Sequence, residues 1–394
     1  MPVRADLEYA VEGATIRGWF YTPDTGNPPY PTVVLQHGFS AVKEMHLDDY
    51  AEVFAAAGLA CFVYDHPGFG ASDPLPGTPR QEIDPWQQIR FVSHAITCAQ
   101  SRDDVDSARI GLWGSSYGAA NAYVTAAIDR RVKAIVGQVP LVTGSLSFTQ
   151  LIRIDQWSST EEMFAADRLA RLRGEPPAMV PVVDDDPMAP SALPTHDSYE
   201  WFTATAEKRA PSWRNEVTLR SLEYFRGYEP VDYIPKISPT PLLMVVAPGD
   251  RLVDGGLSLR AYEVAVAPKK LVTVDGGHFD AYTGAGFEVS SGAARDWFVQ
   301  HLMEPARGMT VHHGGTLRTT RRAHARTDVQ RHEGPGPAVR ALRRSVGSSR
   351  NSLRGTERRQ EEVPSRPVAH VVVRWHPHAC LRGGHHDRAW WVSA

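Results

Sequence analysis

RIGLWGSSYGAA, residues 109–120, changes character at its centre. Ile110, Leu112 and Trp113 form a short apolar run of the kind a buried parallel strand shows. The run ends in Gly114-Ser115-Ser116-Tyr117-Gly118, and small, helix-tolerant residues follow. This is a G-x-S-x-G pattern with Ser116 at its centre. A strand that turns sharply into a helix strains its central residue, and small neighbours let other backbone come close. The Ser116 hydroxyl would then stand above the sheet, with the N–H of Tyr117 pointing at whatever bonds to it. The plainer alternative is a glycine-rich turn carrying a solvated serine.

Outward from this stretch the chain alternates. Residues 7–11 and 15–21 read as an antiparallel hairpin around Glu12-Gly13-Ala14. Residues 32–35 are an apolar strand ending in His37-Gly38-Phe39. Helical spacing over 46–58 is followed by a buried strand at 61–64 and the turn Asp65-His66-Pro67-Gly68-Phe69-Gly70. Asp84-Pro85 supplies the cap and first turn of a helix over 86–100. A helix over 117–128 and a strand over 132–139 come after the elbow. This rhythm predicts an α/β fold, a mostly parallel sheet with helices on both faces. From 140 to 233 it breaks into helical pieces at 148–157, 161–172, 199–209 and 216–224, around a proline-rich stretch at 176–194. That region reads as an inserted helical lid, and its Phe148, Trp157 and Trp201 are candidates for the wall of an apolar pocket. A small second domain with ordinary core aromatics would use the same residues. Strands at 241–247 and 270–274, with helices at 257–266 and 288–303, complete a domain ending near residue 306.

Three loops then stand at the carboxyl ends of predicted parallel strands, where sheets of this type bind ligands. They carry Ser116, Asp250 and His278. Serine needs a base to take its proton, and the imidazole of His278 can serve. The histidine needs a partner that fixes its tautomer, and Asp250 is placed for that. Among rival acids, Asp254 reads as the N-cap of the next helix. Asp275 precedes a Gly-Gly turn, and Asp280 stands too near His278 in sequence to orient it. The oxyanion donors would be the N–H groups of Tyr117 and Phe39. No phosphate loop, zinc-type set or calcium loop is evident, so neither cofactor nor metal is expected.

HGFSAVKEMHLDDYAEVFAAAGLACFVYDHPGFGAS, DPWQQ, RIGLWGSSYG, RRVKAIVGQVP and GGHFDAY together resemble the α/β-hydrolase superfamily. The resemblance spans roughly residues 7–302. It is strongest to bacterial dienelactone-hydrolase-like and Xaa-Pro-peptidase-like hydrolases, with fungal polyketide transferases and thiohydrolases as relatives. It implies the same assignments: Ser116 as nucleophile, Asp250 as acid, His278 as base, Phe39 and Tyr117 at the oxyanion. Dienelactone hydrolases proper use cysteine, so the serine here does not imply their substrate. The elbow also runs on as Gly118-Ala119-Ala120 where close relatives would have Tyr-Ser-Gly-Gly.

The expected reaction is hydrolysis of an ester or thioester of a small to medium apolar acyl group. Acyl transfer to another alcohol or thiol is the main rival, peptidase activity a further one, and a non-catalytic binding protein the alternative from outside enzymology. The 394-residue chain has a net charge of −3, but the charge is unevenly spread. From Arg307 onward there are about 17 Arg and no Lys against about 6 acids, which leaves the body roughly 14 units negative. An acidic body argues against nucleic acid or an anionic membrane as partner. The start has no apolar core after a basic segment, no apolar run reaches membrane-spanning length, and Cys61, Cys98 and Cys380 are few and scattered. A cytoplasmic protein acting on a small-molecule acyl substrate is expected, with a homo-oligomer left open. The Arg-rich segment 307–394 is expected to be disordered and dispensable, because it cannot bury enough apolar surface to offset its ordering entropy.

Overall fold

The computed structural model describes residues 2–303. The segment from Arg307 onward, Cys380 included, lies outside the described residues, and so do the expectations set on it. Strands β1 (Val3–Val11) and β2 (Ala14–Thr22) pair antiparallel around Glu12-Gly13, both at positive φ. Two adjacent positive φ values are what a tight hairpin turn requires. Then follow β3 (Tyr30–Gln36), helix α1 (Leu47–Ala56), β4 (Ala60–Tyr64), α2 (Pro85–Gln100), β5 (Val105–Ser115), α3 (Tyr117–Ile128) and β6 (Val132–Gln138). About a hundred residues later the sheet resumes with β9 (Leu242–Val246), α8 (Gly255–Val264), β10 (Lys269–Thr273) and α9 (Gly284–Phe298). The eight sheet strands lie in the order β1-β2-β4-β3-β5-β6-β9-β10. β2 pairs antiparallel with β4, and every pairing from β4 to β10 is parallel.

The alternation of side chains along the central strands builds two cores at once. Val34, Phe62, Tyr64, Ile110 and Leu112 face the layer made by α2, α3 and α8, where Phe91, Ile96, Tyr123 and Leu257 are buried. Val33, Leu35, Cys61, Val63 and Trp113 face the other way, onto Tyr50 and Phe54 of α1 and Trp297 and Phe298 of α9. The expected α/β architecture is therefore the observed one. Asp84 caps α2 as expected, accepting from the N–H groups of Trp86 and Gln87 with Pro85 in the first turn.

Between β6 and β9 the chain forms α4 (Gly144–Leu151), a 3-10 turn (Ile154–Gln156), α5 (Trp157–Leu172), a ribbon of β7 (Met179–Val180) with β8 (Val217–Thr218), α6 (His196–Lys208) and α7 (Leu219–Arg226). The first break falls elsewhere than the sequence suggests. Residues 148–157 do not make one helix; α4 ends at Leu151, because Ile152 turns extended, and α5 begins at Trp157. The stretch read as a helix at 216–224 opens as a strand, and α9 ends in a π-turn at Val299–Met303. A third apolar cluster joins this insertion to the carboxyl ends of the strands, with Phe39, Tyr117, Phe202, Phe225 and Leu252 among its members. Seven non-glycine residues among those described have positive φ, and Ser40, His46, Ser116, Val139 and Asp254 of these stand beyond the carboxyl ends of β3, β5, β6 and β9.

Candidate active site

Ser116 sits between β5 and α3 at φ 56°, ψ −120°, a region non-glycine residues rarely occupy. Close backbone contact forces this. A Cβ on Gly114 would lie 2.3 Å from the carbonyl oxygen of Gly118, and one on Gly118 would lie 2.5 Å from that of His37. Both positions of the motif must therefore be glycine. The strained residue is held from two sides: its N–H donates to the carbonyl of Gln138 at 2.8 Å, and its own carbonyl accepts from the N–H of Leu141 at 3.1 Å.

Asp250 follows β9 and is almost wholly buried. One oxygen, Oδ1, accepts from the N–H groups of Leu252 and Val253 at 2.9 and 3.1 Å. The other, Oδ2, lies 2.7 Å from Nδ1 of His278, whose side chain is 2 % exposed. A carboxylate in that position fixes the proton on Nδ1 and leaves Nε2 as an acceptor. His278 opens a 3-10 turn, His278–Tyr282, and faces the same cavity as Ser116. Two of the rival carboxylates are engaged elsewhere. Asp254 caps α8 through the N–H of Gly256 at 2.8 Å and accepts from Gln150, while Asp280 accepts from the N–H of Gly277.

The loop after β3 brings Gly38 against the elbow, its Cβ position 3.4 Å from Cβ of Ser116. Phe39 and Tyr117, the residues expected to donate to an oxyanion, both line the cavity with their rings edge to face at 5.8 Å. Tyr117 is the first residue of α3, so its N–H has no acceptor within the helix. Two neighbours of this loop were not singled out from sequence. The Lys43 ammonium and Asp65 form a buried ion pair at 2.7 Å, and the N–H of Lys43 donates to the same carboxylate. Burial alone would lower the Lys43 pKa, but Asp65 and Glu44 beside it raise it above the ordinary value. His37 Nδ1 lies 3.0 Å from the carbonyl of Gly38, and its Nε2 accepts from the N–H of His66. Burial pushes the pKa of both histidines down. Tyr282 is the third addition. Its hydroxyl lies 2.5 Å from Oγ of Ser115 and so ties the histidine turn to the residue before Ser116. The signal was present in GGHFDAY, where Tyr282 is the last residue.

The cavity is narrow, about 40 Å³, and walled by apolar side chains around Ser116 and His278. Of the aromatics expected at the pocket, Trp201 lines it, stacked on Phe279 at 4.8 Å. Phe148 and Trp157 stand away from its walls, edge to face at 5.8 Å. The phase of α4 turns Phe148 inward onto Phe164 of α5, beneath the Arg226 guanidinium. Trp201 also meets the ring of His46 at a tilt, 5.8 Å between centroids, and the same helix, α6, is followed by Arg209, which pairs with Asp48 and Asp49 of α1. Among the described residues no cluster of three His, Cys, Asp or Glu could hold a metal ion, and no helix is long and apolar enough to cross a membrane.

Comparison with known proteins agrees with this fold. A family model described as the alpha/beta hydrolase fold matches residues 31–285. The chain is similar to a thiohydrolase, aneE, of Aspergillus aculeatus, 30% identical over 299 residues that cover 72% of this chain and 89% of that protein. It is similar to the polyketide transferase grgF of a Penicillium species, 31% identical over 281 residues, 70% of this chain and 90% of that one. Among solved structures, DcsB in complex with its substrate analogue superposes with a TM-score of 0.67 at 28% identity, covering 77% of this chain and all of DcsB.

Proposed function

This chain belongs to the α/β-hydrolase family, and we propose that it cleaves an ester or thioester of a small to medium apolar acyl group through an acyl-serine intermediate. The observation that carries the reading is the buried Asp250–His278 pair opening onto one cavity with a strained Ser116. The Ser116 hydroxyl attacks the acyl carbonyl carbon and gives its proton to Nε2 of His278, while Asp250 stabilises the imidazolium. The carbonyl oxygen gains the negative charge and accepts hydrogen bonds from the N–H groups of Phe39 and Tyr117. As the carbonyl re-forms, the bond to the alcohol or thiol breaks, and the leaving group takes the proton from His278. A water then adds to the acyl-serine, losing its proton to His278, and the acid departs with Ser116 restored. The insertion over 140–233 acts in this reading as a lid that sets which acyl groups fit.

Labelling with a fluorophosphonate probe tests it. The wild-type protein should react and Ser116→Ala should not, with ester turnover lower by several powers of ten in the variant. Near-normal turnover by Ser116→Ala would overturn the assignment. Transfer of the acyl group to an alcohol or thiol is a second reading, favoured by the similarity to grgF, which is named a polyketide transferase. Product analysis with a competing alcohol present separates it from hydrolysis.

A further inference from the structure

The cavity beside Ser116 has room for only a few water molecules, too little for an acyl chain of any length. Leu151, the last residue of α4, is part of its wall, and Leu151 also lines a second hollow of about 440 Å³ inside the insertion. Around Leu151, neighbouring side chains line one space or the other. In the segment 191–194, Leu193 faces the cavity while Ser191 and Pro194 face the hollow. On α7, Phe225 faces the cavity and Leu222, one turn earlier, faces the hollow. The hollow continues outward into a groove of about 760 Å³, with Met163, Val180, Ala189 and Leu219 lining both. Met163 and Met179, at 38 % and 43 % exposure, stand along this outer part. Flexible thioether side chains of this kind adapt to apolar partners of varied shape.

We propose that these hollows are one subsite, and that it holds the distal part of an extended, uncharged acyl chain whose carbonyl is at Ser116. The proposal rests on the hydrolase reading above and extends it to the length and polarity of the substrate. The chain passes Leu151, whose side chain rotates aside, and runs between α5 and α7 toward Met163. Among the described residues, the lining offers no free cation to an anionic terminus. Ile152, Met163, Val180, Leu219 and Leu222 are apolar, and the rim cations are already paired, Arg153 with Asp155 at 2.9 Å and Arg173 with Glu175 at 2.8 Å.

The test uses the full-length protein and p-nitrophenyl acetate, octanoate and dodecanoate. A methylene withdrawn from water contributes about fourfold to binding, so wild-type kcat/KM should rise from acetate to octanoate. Met163→Trp and Ala189→Trp fill the hollow from a helix and from a loop. Each should lower the octanoate-to-acetate ratio of kcat/KM at least about tenfold, a ratio that does not depend on how much of a sample is folded. An unchanged ratio in both variants overturns the subsite, as does a wild type that prefers acetate. A wild type inert to all three esters and to the fluorophosphonate probe overturns the hydrolase reading, and the subsite with it.

Discussion

Asp250 and Asp254 are four residues apart and face different tasks. Asp250 accepts from two backbone N–H groups with one oxygen and meets His278 with the other, while Asp254 caps α8 from a more exposed position. Asp250→Asn keeps the shape but offers an amide N–H toward Nδ1, which favours the wrong imidazole tautomer. Turnover of an acetate ester should fall on the order of ten-thousandfold, as for the same change in other serine hydrolases. Asp254→Asn should leave turnover nearly intact and cost about 1 kcal/mol of stability at most, read from urea unfolding. An exchange of the two outcomes would assign the acid to the wrong residue. The position of Asp250 was readable because it follows a strand of continuous apolar residues. Its contact with His278 follows from the parallel pairing of β9 with β10, which places both loops at the same end of the sheet. Lys43 and Asp65 were not readable as partners. They join two loops through contact alone, and no spacing rule links positions on different strands.

At the level of elements, the two loops after β3 and β4 are held by groups whose protonation matters. His37 and His66 are buried with their rings 4.9 Å apart, and burial keeps both pKa values below the ordinary 6.5. Unfolding returns them to water, where they take up protons below about pH 6.5. The unfolded chain then binds more protons than the folded one, so stability should decline as the pH falls below that value. The slope from each residue approaches about 1.4 kcal/mol per pH unit. Urea midpoints at pH 7.5, 6.5 and 5.5 would show it, and His66→Phe, which keeps the backbone N–H that His37 accepts, should flatten the profile. A profile equally steep in His66→Phe would rule out this source. Sequence reading located the helices and strands of the body well because their periods are long and their caps explicit. It misplaced α4 because the break at Ile152 carries neither glycine nor proline. It missed β7 and β8 because two residues are too few to show a period. Which aromatics of the insertion reach the cavity depends on the phase of α4 and α6 against the body, and Trp201 rather than Phe148 or Trp157 is the outcome.

The whole molecule divides its order unevenly. The sheet and its two helical layers use residues in ordinary backbone conformations, with cores in which most large side chains are almost fully enclosed. The positive-φ residues Ser40, His46, Ser116, Val139 and Asp254 gather instead beyond the carboxyl ends of the strands, and each costs on the order of 1–3 kcal/mol unless its surroundings hold it. Those surroundings include the insertion, whose α6 is tied to α1 through Arg209. Regions that open locally do so at lower free energy than the core. Warming should therefore relax this end of the sheet first. Residual activity after brief heating should disappear at a lower temperature than far-ultraviolet circular dichroism is lost; coincident transitions would show instead that the strained end and the core fail together. In practical terms, a preparation of this protein could age into folded but silent molecules, and its shelf life would be set by the backbone around one serine rather than by the melting of the domain.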